Sequence, residues 1–172
     1  MADHDPRIEF QADGLRLRGA FLLPAEQGPH PGLILCHGLP RGLPPTPGEP
    51  GYPELTKRFC TSGFAVLFFN FRGTGESQGN FDILGWARDL KAAVDYLWRR
   101  TEVDRAHLYV LGSSAGGAIA IYGAARDQRL AGVVTWAAPA HWRPLGDAAG
   151  FLEHARNIGI IRDPSYPPSV YE

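Results

Sequence analysis

Four short, uninterrupted apolar runs recur through the chain: Gly32-Leu33-Ile34-Leu35-Cys36, Phe64-Ala65-Val66-Leu67-Phe68-Phe69, His107-Leu108-Tyr109-Val110-Leu111 and Leu130-Ala131-Gly132-Val133-Val134-Thr135-Trp136. A strand with one wet face alternates apolar and polar residues, whereas a strand covered on both faces does not need to. The runs therefore predict strands buried on both sides, as in a parallel sheet. Helical segments separate them. Pro53 is placed to open one that reaches about Ser62, with Gly63 just past its end. Between Gly85 and Arg100, residues Trp86, Leu90, Val94 and Leu97 recur at helical spacing and line one apolar face. Residues from Ala115 to about Arg126, rich in Ala and Gly, predict a third helix packed close to its neighbours.

The amino-terminal part reads differently. Residues 7–10 and 15–23 predict two antiparallel strands, joined at Asp13-Gly14, residues that tolerate the positive φ of a tight hairpin. Leu15 and Leu17 alternate with Arg16 and Arg18, so this part of the sheet has one wet face. The expected order is β-β-β-α-β-α-β-α-β. This is an α/β fold: a doubly wound, mostly parallel sheet with right-handed crossovers and an N-terminal antiparallel hairpin. With 172 residues the chain has room for one domain. Residues 1–140 would form its core, and 141–172 an irregular tail or the start of a lid.

Charge narrows the function classes. The formal net charge is −1, and no basic cluster is longer than Arg99-Arg100, so nucleic acid and anionic membranes gain no electrostatic support. Cys36 and Cys60 match no metal or redox spacing and read as reduced, buried thiols. The N-terminus, Met1-Ala2-Asp3-His4-Asp5-Pro6, has no apolar core of a secretory signal. No apolar run approaches the ~20 residues that span a bilayer. A soluble, cytoplasmic protein without metal or organic cofactor is the expectation.

The chemistry concentrates after the buried strands. Gly112-Ser113-Ser114-Ala115-Gly116-Gly117 stands between a predicted strand and a predicted helix, and Gly-x-Ser-x-Gly in that setting is a nucleophile elbow. The serine must sit in a strained turn, and only small flanking residues let strand and helix approach closely. Ser114 is in register with Gly112 and Gly116, whereas Ser113 is not. A developing oxyanion needs two fixed N–H donors. Ala115 N–H, directly after Ser114, is one candidate. Leu39 N–H, in the loop after Cys36-His37-Gly38, is the other, because Pro40 has no N–H. His37 precedes that donor and is read as ordering the loop rather than as a catalytic base. The loop from His37 to Tyr52 holds five prolines and four glycines and leaves the carboxyl end of a central strand, where open α/β sheets bind ligands. After the second buried strand, Gly73 and Gly75 begin a G-x-G, but Gln78 breaks the dinucleotide fingerprint. A sharp turn with Arg72 anchored to a carboxylate fits better.

His37-Gly38, Phe71-Arg72-Gly73-Thr74-Gly75-Glu76-Ser77 and Gly112-Ser113-Ser114-Ala115-Gly116-Gly117, each after a strand, resemble the α/β-hydrolase superfamily. The resemblance is strongest to its serine-aminopeptidase-like and dienelactone-hydrolase-like branches and covers about residues 7 to 140. It implies cleavage of a carboxylic ester, thioester or amide through an acyl-enzyme on Ser114, with a small-molecule or peptide substrate. It also implies the order nucleophile, acid, histidine, with the acid after the strand that follows the one ending near Ala138, and the histidine after the last strand. Past Ala140 no further buried strand is visible, only a tail punctuated by Pro, Gly and charge where family members usually begin a cap. The expectation is the amino-terminal two-thirds of a hydrolase, nearly inactive alone. Asp147 and His154 stand in triad order and Asp163 follows, although lid residues would look the same. Trp136 and Trp142 are candidate pocket walls, with core packing the simpler explanation. The strand 130–138 would form a sheet edge while reading as buried, a pairing hazard that the tail, a second copy or further chain would cover. The rival reading is a non-catalytic hydrolase-fold module that binds through that edge.

Overall fold

The computed structural model describes residues 5–40, 42, 51–141, 148–163 and 165–166. Ten elements follow one another: β1 (Arg7–Ala12), β2 (Leu15–Leu22), β3 (His30–Cys36), α1 (Tyr52–Thr61), β4 (Ala65–Phe69), α2 (Ile83–Trp98), β5 (Val103–Ser113), α3 (Ser114–Ala124), β6 (Gly132–Trp136) and α4 (Ala148–Asn157). The strands form one sheet in the order β1-β2-β4-β3-β5-β6. β1 pairs antiparallel with β2, and β2 with β4, while β4, β3, β5 and β6 run parallel. The fold is α/β, with the antiparallel hairpin at its amino end. Asp13 (φ 51°) and Gly14 (φ 76°) both take the left-handed conformation, as a two-residue type I′ turn requires.

Period-two alternation along the central strands builds two cores. Ile34 and Cys36 of β3, Leu67 and Phe69 of β4, and Leu108 and Val110 of β5 face one side and join Trp86, Leu90, Val94, Leu97, Ile119 and Ala120 of α2 and α3. Leu33, Leu35, Val66 and Leu111 face the other and meet Tyr52, Leu55 and Phe59 of α1. Helices thus cover both faces of the sheet. The four α2 residues expected to form one apolar face are all buried. Asp82 fixes the start of α2, its side chain accepting from Leu84 N–H at 3.0 Å.

Three features differ from what the sequence suggests. β5 begins at Val103, because the polar stretch before Leu108 already pairs with His30 and Pro31 across a register shift, which hides the strand from a hydrophobicity reading. β6 is not buried on both faces: it is hydrogen-bonded to β5 alone among the described strands, leaving Val133 40% and Val134 60% exposed. The tail region contains α4, whose Leu152 and Ala155, with the following Ile160 and Ile161, enter the larger core. No described helix is long and apolar enough to cross a membrane.

Candidate active site

β3 lies between β4 and β5, and the connections that leave β3 and β5 diverge, one through α1 to β4 and the other through α3 to β6. Such a switch point opens a crevice at the carboxyl ends of the two strands. Cys36 pairs with Gly112 at the end of that ladder, so His37-Gly38-Leu39 and Ser113-Ser114 emerge side by side.

Ser114 opens α3 with φ +49° and an exposed side chain. A non-glycine residue held there is strained, and only surroundings that fix it can sustain the conformation. Its neighbours supply them. A Cβ on Gly112 would lie 2.7 Å from Gly117 Cα, and one on Gly116 would lie 2.5 Å from Cys36 O, so neither position admits a side chain. Ser113 is still extended (φ −116°, ψ 146°) and continues the alternation of Tyr109 and Leu111 toward the α1 face. Its hydroxyl pairs with Tyr52 OH at 2.8 Å. The two serines are thereby sorted: Ser113 turns into the protein and Ser114 toward solvent.

Ala115, buried, follows Ser114 in the amino-terminal turn of α3, with its N–H beside Ser114. Ser113 occupies the cap position without a side-chain cap hydrogen bond, so it supplies no acceptor to the free donors of that turn. The amino end of the helix adds a field favourable to negative charge. Gly38 lies against the elbow: a Cβ there would be 2.9 Å from Ser114 Cβ and 3.3 Å from Ser113 O. Leu39, half-buried, is the next residue. The structure thus brings Ser114, Ala115 and the Gly38-Leu39 segment together.

His37 is buried, and its nitrogens are committed elsewhere. Phe71 N–H donates to Nε2 at 3.2 Å, which leaves Nδ1 to carry the proton and donate to Gly38 O at 2.7 Å. Burial holds its pKa down to about 4. His37 orders the loop, as its place in the sequence suggests. Phe71, below it, stacks on Trp86 with ring centroids 4.4 Å apart.

The turn after β4 is fixed by charge. Arg72, 5% exposed, donates from its backbone N–H to Asp89 Oδ2 at 2.8 Å and from its guanidinium to Asp89 Oδ1 at 2.6 Å, and it reaches Asp13 at 2.8 Å. Gly73 (φ 78°) and Gly75 (φ 50°) make the turn itself. Arg162, beyond α4, donates to the carbonyls of Ser77 (2.7 Å) and Gly75 (2.8 Å) and ties the carboxyl-terminal segment to this loop.

The downstream candidates are placed less tellingly. His154 is exposed on α4. Asp163 accepts from the Ser165 N–H (2.8 Å) and hydroxyl (2.7 Å), a local turn that lowers its pKa. Trp136 is 47% exposed at the end of β6, so core packing does not account for it. Asp147 and Trp142 lie outside the described residues. No described group of three His, Cys, Asp or Glu residues could hold a metal ion. Tyr52 is the site residue that sequence reasoning missed. Two-residue alternation along β5 already pointed Ser113 toward α1, where a partner for its hydroxyl could be sought.

Residues 48–160 match the family described as serine aminopeptidase, S33. The polyketide transferase grgF of a Penicillium species is 31% identical over 156 residues, covering 88% of this chain and 49% of that protein. The quorum-quenching protein AidA of Acinetobacter baumannii is 28% identical over 135 residues, covering 74% of this chain and 42% of that one. The crystal structure of the α/β hydrolase GrgF from Penicillium superposes with a TM-score of 0.70 at 27% identity, over 88% of this chain and 52% of its own. The chain thus spans about half, or less, of the length of these relatives. With the family match across most of the core and the strained serine between β5 and α3, the chain belongs to the S33 serine aminopeptidase family of α/β hydrolases.

Proposed function

We propose that this chain carries the nucleophile and oxyanion-binding part of a serine hydrolase that cleaves a carboxylic ester, thioester or amide. The observation that carries the reading is the left-handed, exposed Ser114 at the switch point, beside the amino end of α3. Ser114 Oγ attacks the substrate carbonyl and loses its proton to a general base. The N–H groups of Ala115 and Leu39 receive the oxyanion. The bond to the leaving group then breaks, the leaving group takes up a proton, and an acyl-enzyme remains for water to hydrolyse. An acyl-enzyme of this kind can also pass its acyl group to an acceptor other than water, a reading in keeping with the relative named a polyketide transferase. The segment 39–52 and residues 141–172, the latter as the start of a lid, shape a pocket for a small molecule or peptide. Two free cysteines fit a reducing, cytoplasmic setting.

Both ring nitrogens of His37 are engaged away from Ser114, so the activating histidine is a different residue. A second reading draws on the exposed β6 edge: the hydrolase core works as a binding module, or becomes active only when another segment or a second copy pairs there. Pre-steady-state hydrolysis of p-nitrophenyl esters, from acetate to longer acyl chains, separates the two. A stoichiometric burst that vanishes in Ser114→Ala is expected of the acyl-enzyme. A folded chain with no burst, and a slow rate equal to that of Ser114→Ala, would favour the module.

A further inference from the structure

Both ends of the loop after β3 converge on the elbow. At its start Gly38 lies against Ser114, and at its end Tyr52 OH meets Ser113 Oγ at 2.8 Å. The Tyr52 ring has little freedom. It stacks on Phe68 with centroids 5.0 Å apart and planes 8° from parallel, and it stands edge-on to His37 at 6.1 Å. For anchoring α1 on the sheet, the ring alone suffices, and phenylalanine would serve equally well. The hydroxyl is the feature that needs an explanation, and its partner is the residue whose backbone sets the position from which Ser114 turns.

We infer that Tyr52 is a positioning residue: through Ser113 it fastens the amino end of α1 to the elbow and keeps Ser114 in register with the Gly38-Leu39 segment packed against it. The inference rests on the proposed role of Ser114 for its effect on reactivity, but its geometric content does not. Period-two alternation sends Ser113 to the α1 face, so its hydroxyl is free for this latch while Ser114 is free for chemistry. Without that latch Ser113, against which Gly38 packs, would be free to shift, and the Leu39 N–H would no longer be fixed relative to Ser114. Displacements of that size are enough to slow a reaction without unfolding the protein.

The test uses the full chain with Tyr52→Phe, Ser113→Ala and the double variant. Saturation labelling with a fluorophosphonate should lose about tenfold in maximal rate in each single variant, the size of one net hydrogen bond. The double variant should lose no more, and the half-saturating probe concentration should stay unchanged. Amide hydrogen exchange at residues 37–39 and 113–116 should quicken in all three, while the rest of α1 and the central strands keep their protection. A merely structural phenol would instead loosen α1 as a whole or raise the half-saturating concentration. Wild-type labelling and exchange in Tyr52→Phe would overturn the inference. If the unaltered chain is not labelled, the reading of Ser114 fails, and the exchange measurement alone decides the latch.

Discussion

The middle of the sheet and its β6 edge are made of similar residues in opposite surroundings. Leu33, Ile34, Leu35 and Cys36 of β3 are between 0% and 5% exposed, while Val133 and Val134 of β6 are 40% and 60% exposed. The local patterns are alike. What differs is the neighbours: β3 has a strand on each side and helices on both faces, whereas β6 is bonded to β5 alone among the described strands. An apolar run therefore reports that a strand can be buried, while topology decides whether it is. The strained serine, its neighbouring donors and its buried supports all belong to the fully surrounded middle, where a costly backbone conformation can be held in place.

Several substitutions test that contrast. The largest stability effect should come from Asp89→Ala, which leaves the buried Arg72 guanidinium without its main partner. Breaking such a pair costs about 3–5 kcal/mol, to be read by urea denaturation. Asp13→Ala removes a half-exposed partner of the same arginine and should cost less than about 1 kcal/mol. Gly116→Ala forces a methyl group against the backbone carbonyls at the end of β3 and should cost about 3 kcal/mol. If it costs nothing, the tight approach of α3 to β3 is not as described.

The middle also has a pH signature. Burial lowers the folded-state pKa of His37 from 6.5 to about 4, so the unfolded chain takes up the proton first as pH falls. Stability should be fully present above about pH 6.5 and decline by about 3 kcal/mol toward pH 4. NMR titration of the His37 ring checks the cause, and a midpoint near 6.5 would refute it. The smallest effect belongs to the edge. Val134→Thr should change stability by less than about 0.5 kcal/mol. Val134→Lys should lower any self-association seen by sedimentation, because charge on an edge strand opposes pairing.

The same contrast explains what was legible in the sequence. The elbow could be read because its requirements are local: Gly112 and Gly116 flank Ser114 within one turn. The α2 face of Trp86, Leu90, Val94 and Leu97, and the anchoring of Arg72 by a carboxylate, followed from periodicity and turn chemistry. The first residues of β5 were hidden, because Arg105, Ala106 and His107 are exposed although they lie in the strand. The edge position of β6 was anticipated, but its apolar run alone read as buried, because residue type does not report which neighbours cover a strand. Tyr52 was missed because its partner is 61 residues away and the contact depends on which face of the sheet α1 covers.

The most direct measurement is the mass-spectrometric location of a fluorophosphonate adduct on the folded full chain. A single adduct on Ser114, absent from Ser114→Ala and retained in Ser113→Ala, is the result expected if the strained serine between β5 and α3 is the nucleophile. An adduct on Ser113, or labelling that survives Ser114→Ala, would contradict the assignment.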